Sequence, residues 1–566
     1  MADTAQRTGA AALIAALVEQ GVAYVFGIPG VHTLLPYDLL HKHPAIRPIV
    51  MRHEAAAGFA ADGYARASGH PGVCLVVPGP GATNLGTAAL VAKSDSVPLV
   101  LITAALPRPL LGRYALHDLD LDAFFRPLVK AQVAIDTASA GAIARAVARA
   151  FALARREPPG PVQLSCPYDL LGQPSGPDMI AVGRAATAPE PGDAAPVVPA
   201  SAALERALGL LRVARAPLFY AGHGVVRAGA GPALVALAET LGAPVLTSNK
   251  ARGIIPEDHP LAAGIPSMQG AAALLREADV CLALGTHFNE YTTLGWRVPL
   301  PRRLIRVDRE PAVLQQNYPA EVGVAGDVAL VLAWLGERLA ARAAPSTLGA
   351  AHAALREQRR ARAGESLAAA AAATPPFHPR VVAALLRELL PPDAILTSDG
   401  SSTESWLYES GFVVTRPGTI FVPEVQQTMG YGVGAALGAA LGAPGRAVAA
   451  VVGDGSLLMT LGELAAIAAE RVPLTIVVFN DGYYNALRLR QEVAHGRRYV
   501  GTALGTLDFA QMARGVGLRG ERVAALEQFR GYLREAARRV EPLLLDVPVS
   551  PLPLSERYAA VVEAGG

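Results

Sequence analysis

Gly453-Asp454-Gly455-Ser456 stands between two short, wholly apolar runs, and that arrangement fixes the local architecture. Residues 447–452 read Ala-Val-Ala-Ala-Val-Val, and 474–479 read Leu-Thr-Ile-Val-Val-Phe. Continuous apolar runs of this length, bounded by turn residues, predict parallel strands buried on both faces. The stretch 461–469 between them predicts the crossover helix that parallel strands need. Asn480-Asp481-Gly482-Tyr483 ends the second run, with Asn480 lying 26 positions beyond Asp454. Ligands of open α/β sheets bind at the carboxyl ends of strands, where Asp454 and Asp481 fall. Two carboxylates plus a backbone carbonyl suit Mg²⁺, a hard ion that also takes phosphate oxygens. Gly453 and Gly455 let the backbone approach such a phosphate and offer N–H donors.

A chain of 566 residues exceeds a single core. Two low-complexity stretches divide it. One is the Pro/Ala segment 184–200; the other lies between Ala343 and Pro376, with a charged helical part from Arg356 to Arg362 and an Ala run at 368–373. The blocks left are 1–183, 198–342 and 375–555. Each alternates strand-like runs with helical stretches. Examples are 73–77 and 99–102 in the first block, 217–222 and 280–285 in the second, and 394–397 in the third. The expected fold is therefore α/β, as three consecutive α/β domains with mainly parallel sheets. A net charge of +2 gives no reason to expect a nucleic-acid partner. No apolar stretch is long enough for a membrane span, and the first residues lack a signal-peptide pattern. Cys74, Cys166 and Cys281 are far apart in apolar runs, as buried thiols of a reducing compartment would be. Cytoplasmic location is the expectation.

The first block carries a second, independent series of motifs. Val25-Phe26-Gly27-Ile28-Pro29-Gly30 is followed by Arg52-His53-Glu54, then Ala61-Asp62-Gly63-Tyr64-Ala65-Arg66, then Gly79-Pro80-Gly81-Ala82-Thr83-Asn84. Together with the Gly-Asp-Gly and Asn-Asp pair, these resemble the thiamine diphosphate-dependent enzymes of the acetolactate synthase, benzoylformate decarboxylase and benzaldehyde lyase group. The resemblance covers nearly the whole chain. It implies pyrimidine-binding, central and diphosphate-binding domains, in that order. It implies Mg²⁺ on Asp454, Asp481 and the Tyr483 carbonyl. It makes Glu54 the residue that hydrogen-bonds the aminopyrimidine and favours its imino tautomer, whose nitrogen takes the thiazolium proton. The cofactor carries the carbon chemistry while the protein controls tautomer and geometry. Pro29 and Asn84 would sit against the cofactor, as would Gly453, Gly455, Ser456 and Tyr484. Ser401 and Ser402, after a predicted strand, would offer hydroxyl and N–H groups to the diphosphate. Met429 would be the apolar wedge beneath the cofactor, and the Gln427 carbonyl would meet the 4′-amino group. The family brings Glu54 of one subunit to the cofactor held by Asp454 of another, so a homodimer or homotetramer is expected.

Several positions depart from the family. Asp481 replaces the usual Asn, and Gln427 replaces a usual Gly. The central domain sometimes holds FAD, but the Arg-Phe-Asp-Asp pattern of flavin-binding members is His287-Phe288-Asn289-Glu290 here. Loss of a permanent cation and fork donor argues against FAD. His32 and His117 occupy positions where a small residue and a glutamine are common. Imidazoles there could relay protons or make ordinary polar contacts. Val31, Pro78, Leu487 and Arg490 would line the substrate channel. Arg490 could grip a carboxylate or remain a solvated helix charge. The leading expectation is a 2-oxo acid decarboxylase or carboligase. In it CO₂ is lost and the remaining unit passes to a proton or a second carbonyl. An aldehyde lyase or carboligase of benzaldehyde lyase type is the alternative, and a degenerate structural or regulatory subunit is the non-enzymatic one.

Overall fold

The computed structural model describes residues 8–175, 197–268, 270–339, 346–370, 373–538, 541–555 and 559. Most of the Pro/Ala segment 184–200 and two positions of the Ala run at 368–373 lie outside the described residues. The charged stretch near Arg356 falls within a long helix, Gly349–Ala369.

Three six-stranded sheets follow one another along the chain. In spatial order the first is Arg47–Val50, Tyr24–Gly27, Gly72–Val76, Leu99–Ala105, Pro161–Pro167 and Ala131–Ala134. The third is Ile420–Phe421, Ile395–Ser398, Val448–Gly453, Thr475–Asn480, Leu543–Pro548 and Arg519–Arg522. Numbered within each domain, both sheets have the order 2-1-3-4-6-5. The central sheet runs Val322–Ala325, Arg303–Asp308, Val280–Leu284, Pro217–Ala221, Val245–Thr247 and Ala262–Gly264, a 3-2-1-4-5-6 order. Every named strand pair is parallel, as the unbroken apolar runs require. The strands around the Gly-Asp-Gly segment fall one residue later than the apolar runs suggest, because Gly453 and Asn480 still hold ladder positions.

Two topologically equivalent helices join the first and third domains. Glu54–Ser68 and Tyr431–Gly442 each connect the second and third strands of their own sheet, and they lie against each other. The approach needs glycine: a Cβ on Gly63 would strike the Ala435 carbonyl, and one on Gly438 the Ala60 carbonyl. One apolar cluster consequently runs through both domains, from Phe26 and Phe59 to Val433, Val452 and Leu544, while the central domain has clusters of its own. Buried charges tie the three domains together. Arg66 bonds Asp62 at 2.6 Å and Asp95 at 2.9 Å, and Lys250 of the central domain reaches Asp95 at 2.8 Å. The Tyr431 hydroxyl donates to Asp62 at 2.5 Å. All three cysteines are buried and free.

Candidate active site

The third domain holds a cavity of about 260 Å³ at the carboxyl ends of its first and third strands. Asp454 opens the helix Asp454–Met459 rather than sitting in a free turn, because the strand Val448–Gly453 runs straight into it. Its side chain is 2% exposed. It accepts hydrogen bonds from the N–H groups of Gly455 (2.7 Å), Gly482 (2.6 Å) and Asp481 (3.2 Å). Burial nevertheless pushes its pKa up to about 6. Asp481 accepts from the Tyr483 N–H at 3.0 Å. Burial first, and the charge on Asp454 second, push Asp481 up to about 8. Two neighbouring carboxylates that resist ionisation together are stabilised by a cation between them. Among the described residues no group of three or more His, Cys, Asp or Glu side chains could hold a metal. A metal here would need backbone and ligand oxygens to complete its shell.

The opposite wall comes from the first strand of this sheet. Ser401 caps the helix Ser402–Glu409 by accepting from the Thr403 N–H at 3.3 Å, and Gly400, Ser401 and Ser402 all line the cavity. The N-cap role and a place in the cavity wall therefore coexist. Asp399 is 1% exposed and takes the Gly432 N–H at 2.9 Å, with the Tyr431 and Gly430 N–H groups and the Ser456 hydroxyl also turned to its carboxylate. Gln427 has φ +45°, in the left-handed region that favours glycine, which accounts for glycine being usual there. Its side-chain amide is anchored on the Glu424 carbonyl at 2.9 Å. Met429 faces the cavity, one residue before the helix Tyr431–Gly442 is capped by Gly430. Tyr484 lies flat over Gly455, where a Cβ would meet its ring at 2.5 Å. The cradle therefore combines glycine turns, N–H donors, hydroxyls and a carboxylate pair. That donor set fits a diphosphate bridged by a divalent cation.

The equivalent strand ends of the first domain carry different groups. Glu54 is the first residue of the helix Glu54–Ser68 and is 9% exposed. His53 caps that helix, its Nδ1 accepting from the Ala55 N–H at 3.1 Å. Glu54 Oε2 accepts from Asn84 Nδ2 at 3.0 Å, and among the described residues no ion pair joins it to Arg52. His32, on the short turn Val31–Thr33, lies with its ring centroid 5.0 Å from that of His117 and 4.9 Å from that of Tyr168. The Nδ1 atoms of both histidines are buried without a hydrogen-bond partner. Burial, then the neighbouring His117, lowers the pKa of His32. His117 itself has φ +65°, packed against Gly79. Pro29 and Val31 are exposed on the rim, whereas Pro78 is buried.

Within each domain the structure thus gathers the residues singled out from the sequence. It does not gather the two groups into one cavity. Every residue lining the third-domain cavity lies between positions 379 and 549, so Glu54, Asn84, His32 and His117 are absent from its wall. Leu487 lines it, whereas Arg490, one turn further along Asn485–Ala494, is exposed and does not. Thr403, Trp406, Phe479 and Asn485 also line it and escaped sequence reasoning. Asn485, which hydrogen-bonds Asp481, had a usable signal in its place four residues past the carboxylate at a helix start. Tyr168 had none, since its meeting with His32 is purely tertiary.

The chain is similar to known proteins along most of its length. The description "Thiamine pyrophosphate enzyme, N-terminal TPP binding domain" matches residues 7–124, the family's central domain matches 204–335, and its C-terminal TPP binding domain matches 399–547. The acetolactate synthase large subunit of Parasynechococcus marenigrum is 35% identical over 553 residues, covering 96% of this chain and 87% of that protein. A probable acetolactate synthase large subunit of Methanocaldococcus jannaschii is 32% identical over 558 residues, covering 96% and 92%. A probable 2-ketoarginine decarboxylase of Pseudomonas aeruginosa is 36% identical over 485 residues, covering 85% and 83%. With three matching domains in order and relatives more than 30% identical over most of both chains, the chain belongs to the thiamine pyrophosphate-dependent enzymes of the acetolactate synthase group, which make or break carbon–carbon bonds.

Proposed function

We propose that this enzyme is a thiamine diphosphate- and Mg²⁺-dependent 2-oxo acid decarboxylase or carboligase, working in the cytoplasm as a homodimer or homotetramer. One observation carries the reading: the acid–histidine group and the diphosphate cradle occupy equivalent ends of two sheets of the same topology, yet in separate places of one chain. A second copy would bring the first-domain group of one chain to the third-domain cradle of another. No helix among the described residues is long and apolar enough to cross a membrane, and small molecules, not nucleic acids, are the partners expected.

The cofactor, when bound, supplies the nucleophilic carbon at which the substrate reacts. The chain's own residues divide the remaining work. Asp454, Asp481 and the Tyr483 carbonyl hold the metal. Gly453, Gly455, Ser456, Ser401 and Ser402 hold the diphosphate. Met429 would pack beneath the cofactor, the Gln427 carbonyl would accept from its 4′-amino group, and Tyr484 would close one side. Pro29 and Asn84 border the ring on which Glu54 holds a proton. His32 and His117, with free Nδ1 atoms, move a proton to or from the substrate oxygen. Val31, Pro78 and Leu487 shape the approach of the substrate, and Arg490 meets a carboxylate of the acceptor. We also propose a flavin-free central domain. A cavity of about 740 Å³ at the domain junction is large enough for a cofactor, but carboxylates outnumber lysine and arginine side chains in its wall, and Lys250 is committed to Asp95. Such a wall disfavours a second pyrophosphate.

The histidine pair also suits an aldehyde lyase, in which a hydroxyl proton must be removed. The deciding experiment supplies the holoenzyme with a panel of 2-oxo acids and 2-hydroxy ketones and follows CO₂ and product together. Release of CO₂ from 2-oxo acids supports the first reading. Cleavage of hydroxy ketones without CO₂ replaces it with the second, and no turnover of any member overturns both.

A further inference from the structure

Glu54 stands at a difficult point in the chain. The edge strand Arg47–Val50 ends, Met51 to His53 turn, and the helix Glu54–Ser68 begins at once. The N–H groups at a helix start have no partners within the helix, and in the turn before it the Met51 N–H still reaches the sheet, at the Gly27 carbonyl (3.0 Å), whereas those of Arg52 and His53 do not. His53 satisfies one of them with its own ring, at Ala55. The turn itself is held from another domain. Both carboxylate oxygens of Glu463 accept from the Arg52 N–H, at 3.1 and 3.2 Å, and the His53 N–H also bonds this carboxylate.

We propose that Glu463 is a positioning residue for Glu54: reaching from the third domain, its carboxylate holds the backbone of Arg52 and His53 and so sets where the Glu54 side chain stands. Glu463 is 1% exposed and opens the helix Glu463–Glu470, which follows the diphosphate turn in the chain. The two backbones meet closely, since a Cβ on Gly462 would lie 3.3 Å from the Arg52 Cβ. The Arg52 guanidinium does not take the carboxylate; it turns back to the carbonyls of Val50 (2.6 Å) and Met51 (3.4 Å). The contact is therefore carboxylate to main chain, which fixes a backbone rather than joining two flexible side chains. A second ion pair, Arg47 with Glu470, seals the far end of the same helix against the same strand.

The charged and titratable groups facing Glu463 are Arg52, Glu54 and the His53 ring on the turn, with Arg47 engaged by Glu470. Burial, opposed by the two N–H groups, pushes Glu463 up to about 7. An ionised carboxylate accepts from N–H roughly twice as strongly as a neutral group. While Glu463 stays buried, the clamp on the turn therefore tightens as pH rises through neutrality; unfolding, which exposes the carboxylate, responds in the opposite sense.

The inference rests on the reading of Glu54 as the group that meets the cofactor ring, and the test separates the two. Hydrogen–deuterium exchange of the Arg52 and His53 amides is measured on the apoprotein at pH 6 and pH 8, after correction for intrinsic rates. In the wild type, protection should rise about tenfold across that interval; Glu463→Gln, which cannot ionise, should be flat and at least about tenfold less protected at pH 8. Glu463→Asp should recover part of the pH step. In the holoenzyme, Glu463→Gln should slow exchange of the cofactor C2 proton about tenfold while thiamine diphosphate affinity stays within about twofold. Wild-type protection with an intact pH step in Glu463→Gln overturns the proposal. So does a loss of cofactor affinity equal to the loss of exchange, which would mark a merely structural residue. If Glu54→Gln leaves C2 proton exchange normal, the reading of Glu54 fails instead. Glu463→Ala need not fold for these outcomes to decide the matter.

Discussion

The first and third domains share one strand order, and both place their chemistry at the carboxyl ends of their strands, the first and third among them. What they place there differs. In the third domain the segments after those strands are Asp399 to Ser402 and Asp454 to Ser456, short and glycine-bearing, the second buried and the first half-buried beyond Asp399. In the first domain they carry Pro29, Val31 and His32, then Pro78 to Asn84. Small residues expose backbone N–H groups and make an anion cradle. Rings and a lone carboxylate make a site for proton transfer. The surroundings differ as well. The cradle is a walled cavity, whereas the histidine pair is fringed by exposed apolar side chains, with Val31 77%, Leu34 56% and Leu116 67% exposed. On the function proposed above, one fold is used twice, once to grip a diphosphate and once to handle protons. Binding and catalysis should therefore fail separately when each is damaged.

The largest effect is expected at the cradle. Asp454→Ala removes the carboxylate that meets three backbone N–H groups and would bridge metal to diphosphate. Cofactor affinity in the presence of Mg²⁺ should fall by at least about 100-fold, read by titration calorimetry or by loss of the thermal shift on adding cofactor. Asp481→Asn retains an oxygen ligand and relieves the repulsion from Asp454, so it should change affinity only a few-fold. Equal losses in the two variants would mean that Asp481 is more than an interchangeable oxygen ligand.

Glu54→Gln should do the reverse. Cofactor binding should survive while C2 proton exchange and turnover fall by at least about 10², a typical acid–base contribution. If the two halves meet across a two-fold axis, mixing Glu54→Gln with Asp454→Ala protein under subunit exchange should restore activity. Random pairing gives half the molecules one intact site each, so about a quarter of wild-type activity is expected. No recovery, with exchange verified by mass, would place both halves of a site in one chain.

Legibility from sequence follows the same division. The strands and their parallel pairing were readable because buried parallel strands are unbroken apolar runs, as in 447–452 and 474–479. The cradle was readable because glycine turns and metal carboxylates occur in short, ordered motifs. The first-domain group was partly readable: Glu54 and Asn84 stand in motifs, and the structure joins them by a hydrogen bond. The His32–His117–Tyr168 cluster spans three distant segments, and no local pattern marks Tyr168. Glu463 was invisible for the same reason, because its partners are main-chain N–H groups of another domain. The separation of the two halves could be inferred only from resemblance, never from composition or spacing.

Effects on the substrate side should be smaller. His117→Ala removes a half-buried imidazole whose buried Nδ1 has no partner among the described residues. Turnover should stall after substrate has bonded to the cofactor, with cofactor affinity unchanged, and quenched-flow analysis of bound species would check this. Arg490 lies outside the cavity wall but on the helix that carries Leu487 into it. Arg490→Ala should raise KM for a keto-acid acceptor about 10- to 100-fold, matching a lost charged hydrogen bond of about 1.5–3 kcal/mol, and leave a neutral aldehyde unaffected. Equal effects on both acceptors would return Arg490 to a solvated helix position.

The smallest effect, and the one that sets the two regions most directly against each other, is the pH dependence of the apoprotein. Burial holds Asp399 up at about 6 and Glu463 up at about 7, both above the ordinary carboxyl range. In the folded state these groups keep protons that the unfolded chain has already released, so their contribution is complete near pH 4 and is lost as pH rises to about 7. His32 works in the opposite sense. Burial and His117 lower its pKa, so the unfolded chain takes up a proton below its ordinary value of 6.5, and that contribution is lost as pH falls. His32 is only partly buried, so the carboxylates should dominate. The melting temperature of the apoprotein should therefore fall by a few degrees between about pH 5 and pH 7.5. Glu463→Gln and Asp399→Asn should each flatten the slope, and His32→Asn should steepen it slightly. Adding thiamine diphosphate with Mg²⁺ should weaken or reverse the trend, because the ion favours ionised Asp454 and Asp481. A melting temperature that instead climbs across this interval would assign the pH response to the buried and half-buried histidines, His32, His223, His352 and His378, rather than to the buried acids of the third domain.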